Sequence, residues 1–200
     1  MKKILTLLML ISCTTAFAQR FDAALWGGIN ACQIDGDQSG NYNHFGIHAA
    51  INTTFSINSD EDSPLRLMVE LGFAQKGAYE PNAGRKVNLN YIELPLMLTY
   101  RLGESFRLGA GIAPGLLVSS HAYYPNGEED LPTSNNYRKL DALPIVADLT
   151  YRHNHLLFSV RYENSMLPVS IEAASGTYRI FRSNMGQFSR LLTAGIGYQF

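Results

Sequence analysis

Val87-Asn88-Leu89-Asn90-Tyr91-Ile92-Glu93-Leu94-Pro95-Leu96-Met97-Leu98-Thr99-Tyr100-Arg101-Leu102 is the stretch from which the fold is read. Ile92, Leu94, Leu96, Leu98, Tyr100 and Leu102 occupy every second position, and Tyr91, Glu93, Met97, Thr99 and Arg101 lie between them. Successive side chains of an extended chain point to opposite faces, so this is a strand with one greasy face.

The same period recurs outward from this segment. Leu65, Leu67, Val69, Leu71 and Phe73 alternate with Arg66, Met68, Glu70, Gly72 and Ala74. Phe106 to Val118, Leu143 to Tyr151, Leu156 to Tyr162 and Phe188 to Phe200 repeat it, and Phe21 to Ala31 and Phe45 to Ile57 do so more weakly. That makes eight strands. Their connections alternate in length: Asn58 to Pro64, Gly103-Glu104 and His153-Asn154 are short, whereas Asp35 to Asn43, Ala78 to Lys86, His121 to Asp141 and Met166 to Gln187 are longer and polar. Tight turns at one end and long loops at the other belong to an even-stranded antiparallel barrel that spans an outer membrane. The sequence therefore predicts an all-β fold, an eight-stranded antiparallel transmembrane β-barrel with meander connectivity, short periplasmic turns and long extracellular loops. Pro95, Pro114 and Pro144 fall inside the strands and are expected at bulges or strand ends, because proline cannot donate to the ladder.

Aromatic residues on the apolar phase form two girdles, as expected at the two interfaces. Phe21, Phe55, Tyr100, Phe106, Tyr151, Tyr198 and Phe200 lie toward the short turns, and Phe45, Phe73, Tyr162 and Phe188 toward the long loops. Arg190 shares the apolar phase, close enough to the external rim to snorkel. The opposite phase sends Arg66, Lys76, Arg101, Arg107, Arg152 and Arg161 into the lumen, with Asp22, Glu70, Glu93, Asp148 and Glu163. Eight strands leave an interior only wide enough for side chains, so these charges are expected to pair and fill it.

Composition agrees with this reading. In a chain of 200 residues the charged fraction is 16%, while 11 Tyr, 10 Phe and 17 Gly are present; a soluble domain averages roughly 25% charged. Sixteen basic residues against 17 acidic ones remove the footprint of a nucleic-acid binder. Met1 to Ala18 has the form of a secretory signal peptide, with Lys2 and Lys3, an apolar core from Ile4 to Ile11, and Ala16-Phe17-Ala18 before the cut. Residues 1–18 are then the signal peptide and 19–200 a single barrel domain. Leu10-Ile11-Ser12-Cys13 offers a competing lipoprotein start, but the segment before it is short. With Cys32 as the one remaining thiol, no internal disulfide or Cys-rich metal site can form.

Gly28-Ile29-Asn30-Ala31-Cys32-Gln33-Ile34-Asp35-Gly36-Asp37 with Gly40-Asn41-Tyr42, the block Leu89-Asn90-Tyr91-Ile92-Glu93-Leu94-Pro95-Leu96, and the terminal Gly197-Tyr198-Gln199-Phe200 resemble the PorT-like outer-membrane β-barrel family. The resemblance covers essentially the whole mature chain, and Tyr-Ile-Glu-Leu-Pro-Leu is its most specific element. It implies insertion by the outer-membrane assembly machinery, for which the final Phe is similar to the usual signal. It does not imply an activity.

No residue pattern specifies chemistry. Asp35, Asp37, Ser39 and Gly40 look like the start of a calcium loop, but its twelfth position is Gly46 instead of Glu. His44 with His48, and His153 with His155, lack companions at metal-site spacing. Ser119, Ser120, His121 and Glu128 could serve a lipid-modifying enzyme only if the fold assembled them. The expectation is a monomer in the bacterial outer membrane, without cofactor or nucleic-acid partner. It contacts outer-membrane lipid and acts through its external loops on a protein or glycan, in a binding, structural or secretion-associated role. The alternative is a lipid A or phospholipid-modifying enzyme on the same barrel.

Overall fold

The computed structural model describes residues 22–36, 42–57, 63–81, 84–127, 137–170 and 186–200. The segment 1–18, Phe21 and Glu128 lie outside the described residues.

These residues form β1 (Asp22–Asp35), β2 (His44–Ser56), β3 (Leu65–Glu80), β4 (Arg85–Glu93), β5 (Leu96–Leu102), β6 (Phe106–Ile112), β7 (Gly115–Tyr123), β8 (Leu140–Asp141), β9 (Pro144–His153), β10 (Leu156–Ser165) and β11 (Phe188–Gln199). All pairings are antiparallel. The row β2-β1-β11-β10-β9-β6-β5-β3 returns from β3 to β2, so the sheet closes on itself. Closure satisfies every edge, which hydrocarbon demands.

The eleven segments make eight staves. β3 pairs with both β4 and β5, and β4 and β5 continue on one another across Leu94-Pro95. In the same way β6 and β7 meet at Ala113-Pro114, and β8 and β9 just before Pro144. Each proline lacks its donor, but each carbonyl still accepts from the next stave: Glu70 N to Pro95 O at 3.0 Å, Leu94 N to Pro114 O at 2.9 Å and Ala113 N to Pro144 O at 2.9 Å. The prolines therefore interrupt the staves while the wall stays continuous.

Two tight turns explain the short end. Leu102 pairs with Phe106 around Gly103, whose φ of 65° suits glycine. His153 pairs with Leu156 around Asn154, a residue that tolerates its φ of 54°. The greasy face points outward: Ile92, Leu94, Leu96, Leu98, Tyr100 and Leu102 are all exposed, while Tyr91, Glu93, Met97 and Thr99 are buried. At the short-turn end the exposed rings cluster, with Phe106 and Tyr151 centroids 5.1 Å apart, Tyr151 and Phe158 6.4 Å, and Tyr198 and Phe200 5.5 Å. Phe55 is half-buried on the same phase.

Several boundaries differ from the sequence reading. Ala78 to Lys86 is a paired hairpin in which Ala78 faces Val87, Tyr79 faces Lys86 and Glu80 faces Arg85. β1 likewise runs on to Asp35, and β3 reaches 16 residues, where roughly 9–11 suffice to cross a bilayer. Beyond the hydrocarbon the outer face has no need to be apolar, so alternation fades while the ladder continues. Phe188 is buried instead of standing in the outer girdle, because the chain entering β11 turns in over the barrel. Arg190 reaches Asp35 of the adjoining stave at 2.8 Å, and Asp37, Ser39 and Gly40 lie outside the described residues.

Candidate functional site

The lumen is built from alternate positions on neighbouring staves, which the ladder brings to the same height. Arg161 pairs in register with Asp148 on β9, and across the barrel its guanidinium grips Glu70 twice, Nη1 to Oε1 at 2.6 Å and Nη2 to Oε2 at 3.0 Å. Its Nε lies 3.5 Å from Asp148 Oδ2, and Thr150 donates to Asp148 Oδ1 at 2.7 Å. His48 and Asn52 approach the Glu70 carboxylate from β2 at 3.7 and 3.3 Å. Six residues further along β3, the Lys76 ammonium sits between Glu93 of β4, at 2.5 Å, and Glu163 of β10, over the Tyr91 ring. Lys76, Glu70, Glu93, Asp148, Arg161 and Glu163 are all buried. A charge so placed costs several kcal/mol unless paired, and here each has a partner of opposite sign.

Polar residues without charge complete this layer. Asn30 donates to the carbonyls of Ile47 and Gln75, both at 3.1 Å, and accepts from Thr193 at 2.8 Å. It thereby ties β1 to β11 and to β2 and β3 where those two strands diverge. Asp141 joins the lumen and accepts from Ser165. The sequence alone places Asp141 at the end of the loop from His121. Counting back from Asp148 by twos does not reach it, since the break at Ala142-Leu143 shifts the phase.

The charges are sorted along the barrel axis. Acid predominates in the middle, where Glu70, Glu93, Asp141, Asp148 and Glu163 surround Lys76 and Arg161. At the short-turn mouth Arg66, Arg101, Arg107 and Arg152 line a cavity of about 180 Å³ with Asp22 and Glu104. Arg66 pairs with Asp22 there. Arg152 corrects the expectation of a lumen-filling charge: it is exposed on the rim and donates to the backbone oxygen of Glu104 at 3.0 Å.

The opposite mouth is covered. Arg138 N donates to Val169 O at 2.8 Å, Val169 N to Gln187 O at 2.8 Å and Gln187 N to Ser170 O at 3.1 Å. Tyr137, Val169, Ser170 and Gln187 are buried as a result, and Tyr137 packs on Ile34, Val87, Leu89 and Tyr91. Beneath this cap, Ile34, Glu80, Arg85, Tyr137 and Gln187 line a space of only about 50 Å³.

The rim residues that could have formed a nucleophile and base are divided between faces. A bulge between Asn90 and Tyr91 shifts the register, after which Ser120 is buried toward the lumen. Ser119 bonds Asn90 on the outer face at 2.8 Å, and the His121 ring lies 6.5 Å from that of exposed Tyr123. His44 and His48 both face inward but only His48 adjoins a carboxylate; among the described residues no metal-ligand cluster forms.

Comparison with known proteins bears on this geometry. A family model described as an outer membrane protein beta-barrel domain matches residues 17–169. The fold is similar to the attachment invasion locus protein Ail of Yersinia pestis, solved with the heparin analogue sucrose octasulfate, at 13% identity and a TM-score of 0.54 over 90% of this chain and 99% of that one. It is also similar to Neisserial surface protein A, at 12% identity and a TM-score of 0.53 over 89% of this chain and 97% of that one. No curated protein matches the chain in sequence.

Proposed function

Since the chain belongs to the outer membrane protein beta-barrel domain family and sits in the bacterial outer membrane, we propose that it is a non-conducting, non-enzymatic barrel that presents its external loops to a partner. Within that family we read it as PorT-like, on the block Tyr91 to Leu96. The observation that carries the reading is the pairing of Arg161 with Glu70 and of Lys76 with Glu93 and Glu163 beneath a cap of loop residues. A lumen filled in this way leaves the loops as the part free to vary, and recognition concentrates on loops held by a rigid scaffold.

Ail was crystallised with a sulfated glycan analogue. In this chain the external segments carry acidic residues such as Glu128, Glu129 and Asp130 in near balance with Arg138, Lys139, Arg179 and Arg182. The partner that fits is a protein or an uncharged glycan. The division of Ser119, Ser120 and His121 between two faces favours this over lipid-modifying catalysis.

Replacing 125–136 and 171–185 by short turns tests the reading. Insertion into the outer membrane should persist while complementation of a deletion strain is lost. Unchanged complementation would place the function elsewhere.

A further inference from the structure

The two ends of this barrel differ in a way that loop recognition does not use. The external end is capped, whereas the periplasmic end opens into the 180 Å³ cavity lined by Arg66, Arg101, Arg107 and Arg152. Of these, Arg66 pairs with Asp22, and Arg152 donates to the neutral backbone oxygen of Glu104. Among the described residues neither Arg107 nor Arg152 has a carboxylate partner within ion-pair distance. Asp148, two residues from the lining Thr150, is engaged by Thr150 and Arg161. The cavity volume is several times that of one water, whose share of the liquid is about 30 Å³.

We propose that this vestibule is a binding site for a phosphate group, taken from the periplasm either as free phosphate or as the headgroup of a lipid in the adjoining leaflet. A guanidinium presents its donors as a planar fork matched to two oxygens of an oxyanion, and two forks in one cleft suit a tetrahedral dianion better than a single carboxylate. Acid concentrated deeper in the lumen repels the same ligand, so the anion stops at the mouth and does not pass. The competing occupant is the chain itself: Asp60, Glu61 and Asp62 come just before Pro64 in the sequence, and Pro64 lines the cavity.

The test uses full-length protein folded in maltoside detergent. One arm titrates inorganic phosphate calorimetrically at constant ionic strength, and the other adds phosphatidic acid or an uncharged diacyl glycolipid and reads retained lipid by native mass spectrometry. Saturable binding of one equivalent is expected in at least one arm, and which arm responds identifies the source. The double variant Arg107→Gln/Arg152→Gln should weaken it about tenfold or more, while Arg138→Gln on the external side should not. If the double variant loses its folded gel mobility, the exposed Arg152→Gln is read alone and must still weaken binding. Silence in both arms, or equal binding by the double variant, overturns the proposal. Binding that emerges only in Asp60→Asn/Glu61→Gln/Asp62→Asn overturns it as well, because the native turn then fills the site.

Discussion

Arg161 and Glu70 stand 91 residues apart in the chain and face each other across the lumen through two hydrogen bonds of 2.6 and 3.0 Å. Arg161 is on β10 and Glu70 on β3, which are not neighbours in the sheet. The pair is therefore a strut spanning the barrel, and it forms only once the wall has closed.

Removing one end of the strut should hurt more than removing both. Among the described residues Arg161→Met leaves Glu70 buried with His48 and Asn52 as its partners, and loss of one member of a buried pair costs about 3–5 kcal/mol. Arg161→Met/Glu70→Met should recover most of that. Urea unfolding in lipid vesicles, followed by tryptophan fluorescence, measures each; a double variant as unstable as the single one would contradict the strut.

Lys76 is shared by two carboxylates, so its loss should exceed that of either. Lys76→Met strands both Glu93 and Glu163, whereas Glu93→Ala leaves Lys76 with Glu163. Both variants should lower the temperature at which the folded, unboiled gel band disappears, Lys76→Met by more. The opposite order would show that Glu93 is held chiefly by something other than the ammonium.

Gly197 faces the lumen beside Trp26, and a Cβ there would lie 2.7–2.9 Å from the indole ring. Gly197→Ala should push the ring aside at a cost of about 1–3 kcal/mol, typical of overpacking. Trp26 is the single tryptophan of the chain, so its emission reports the displacement directly. An unchanged spectrum and unfolding midpoint would mean that the indole has room to spare.

The barrel should not conduct. Eight staves enclose a lumen that side chains fill, and here it is cross-braced by Arg161 and Lys76 and capped by Tyr137, Val169, Ser170 and Gln187. Purified protein in planar bilayers is expected to give no stable conductance. Steady channels would require the cross-braces to open.

The alternation around Glu93 was enough, read along one strand, to predict an outward Ile92, Leu94, Leu96 and Leu98 and an inward Glu93, because the face of a strand residue is a local property with a period of two. The strand number and the short turns at Gly103 and Asn154 were legible for the same local reason, and so was the placing of proline at stave breaks. Which inward residues meet was not legible. Arg161 could as well have met Asp22 or Glu93, since only the stagger of the closed barrel decides which positions share a height. The arginines gather at one mouth because Arg66, Arg101, Arg107 and Arg152 each stand next to a short connection. Nor were the extension of β1 to Asp35, the hairpin from Ala78 to Lys86, or the phase break that sets Asp141 inside legible. Beyond the hydrocarbon, backbone hydrogen bonds hold the wall with no apolar pattern left in the sequence to announce them.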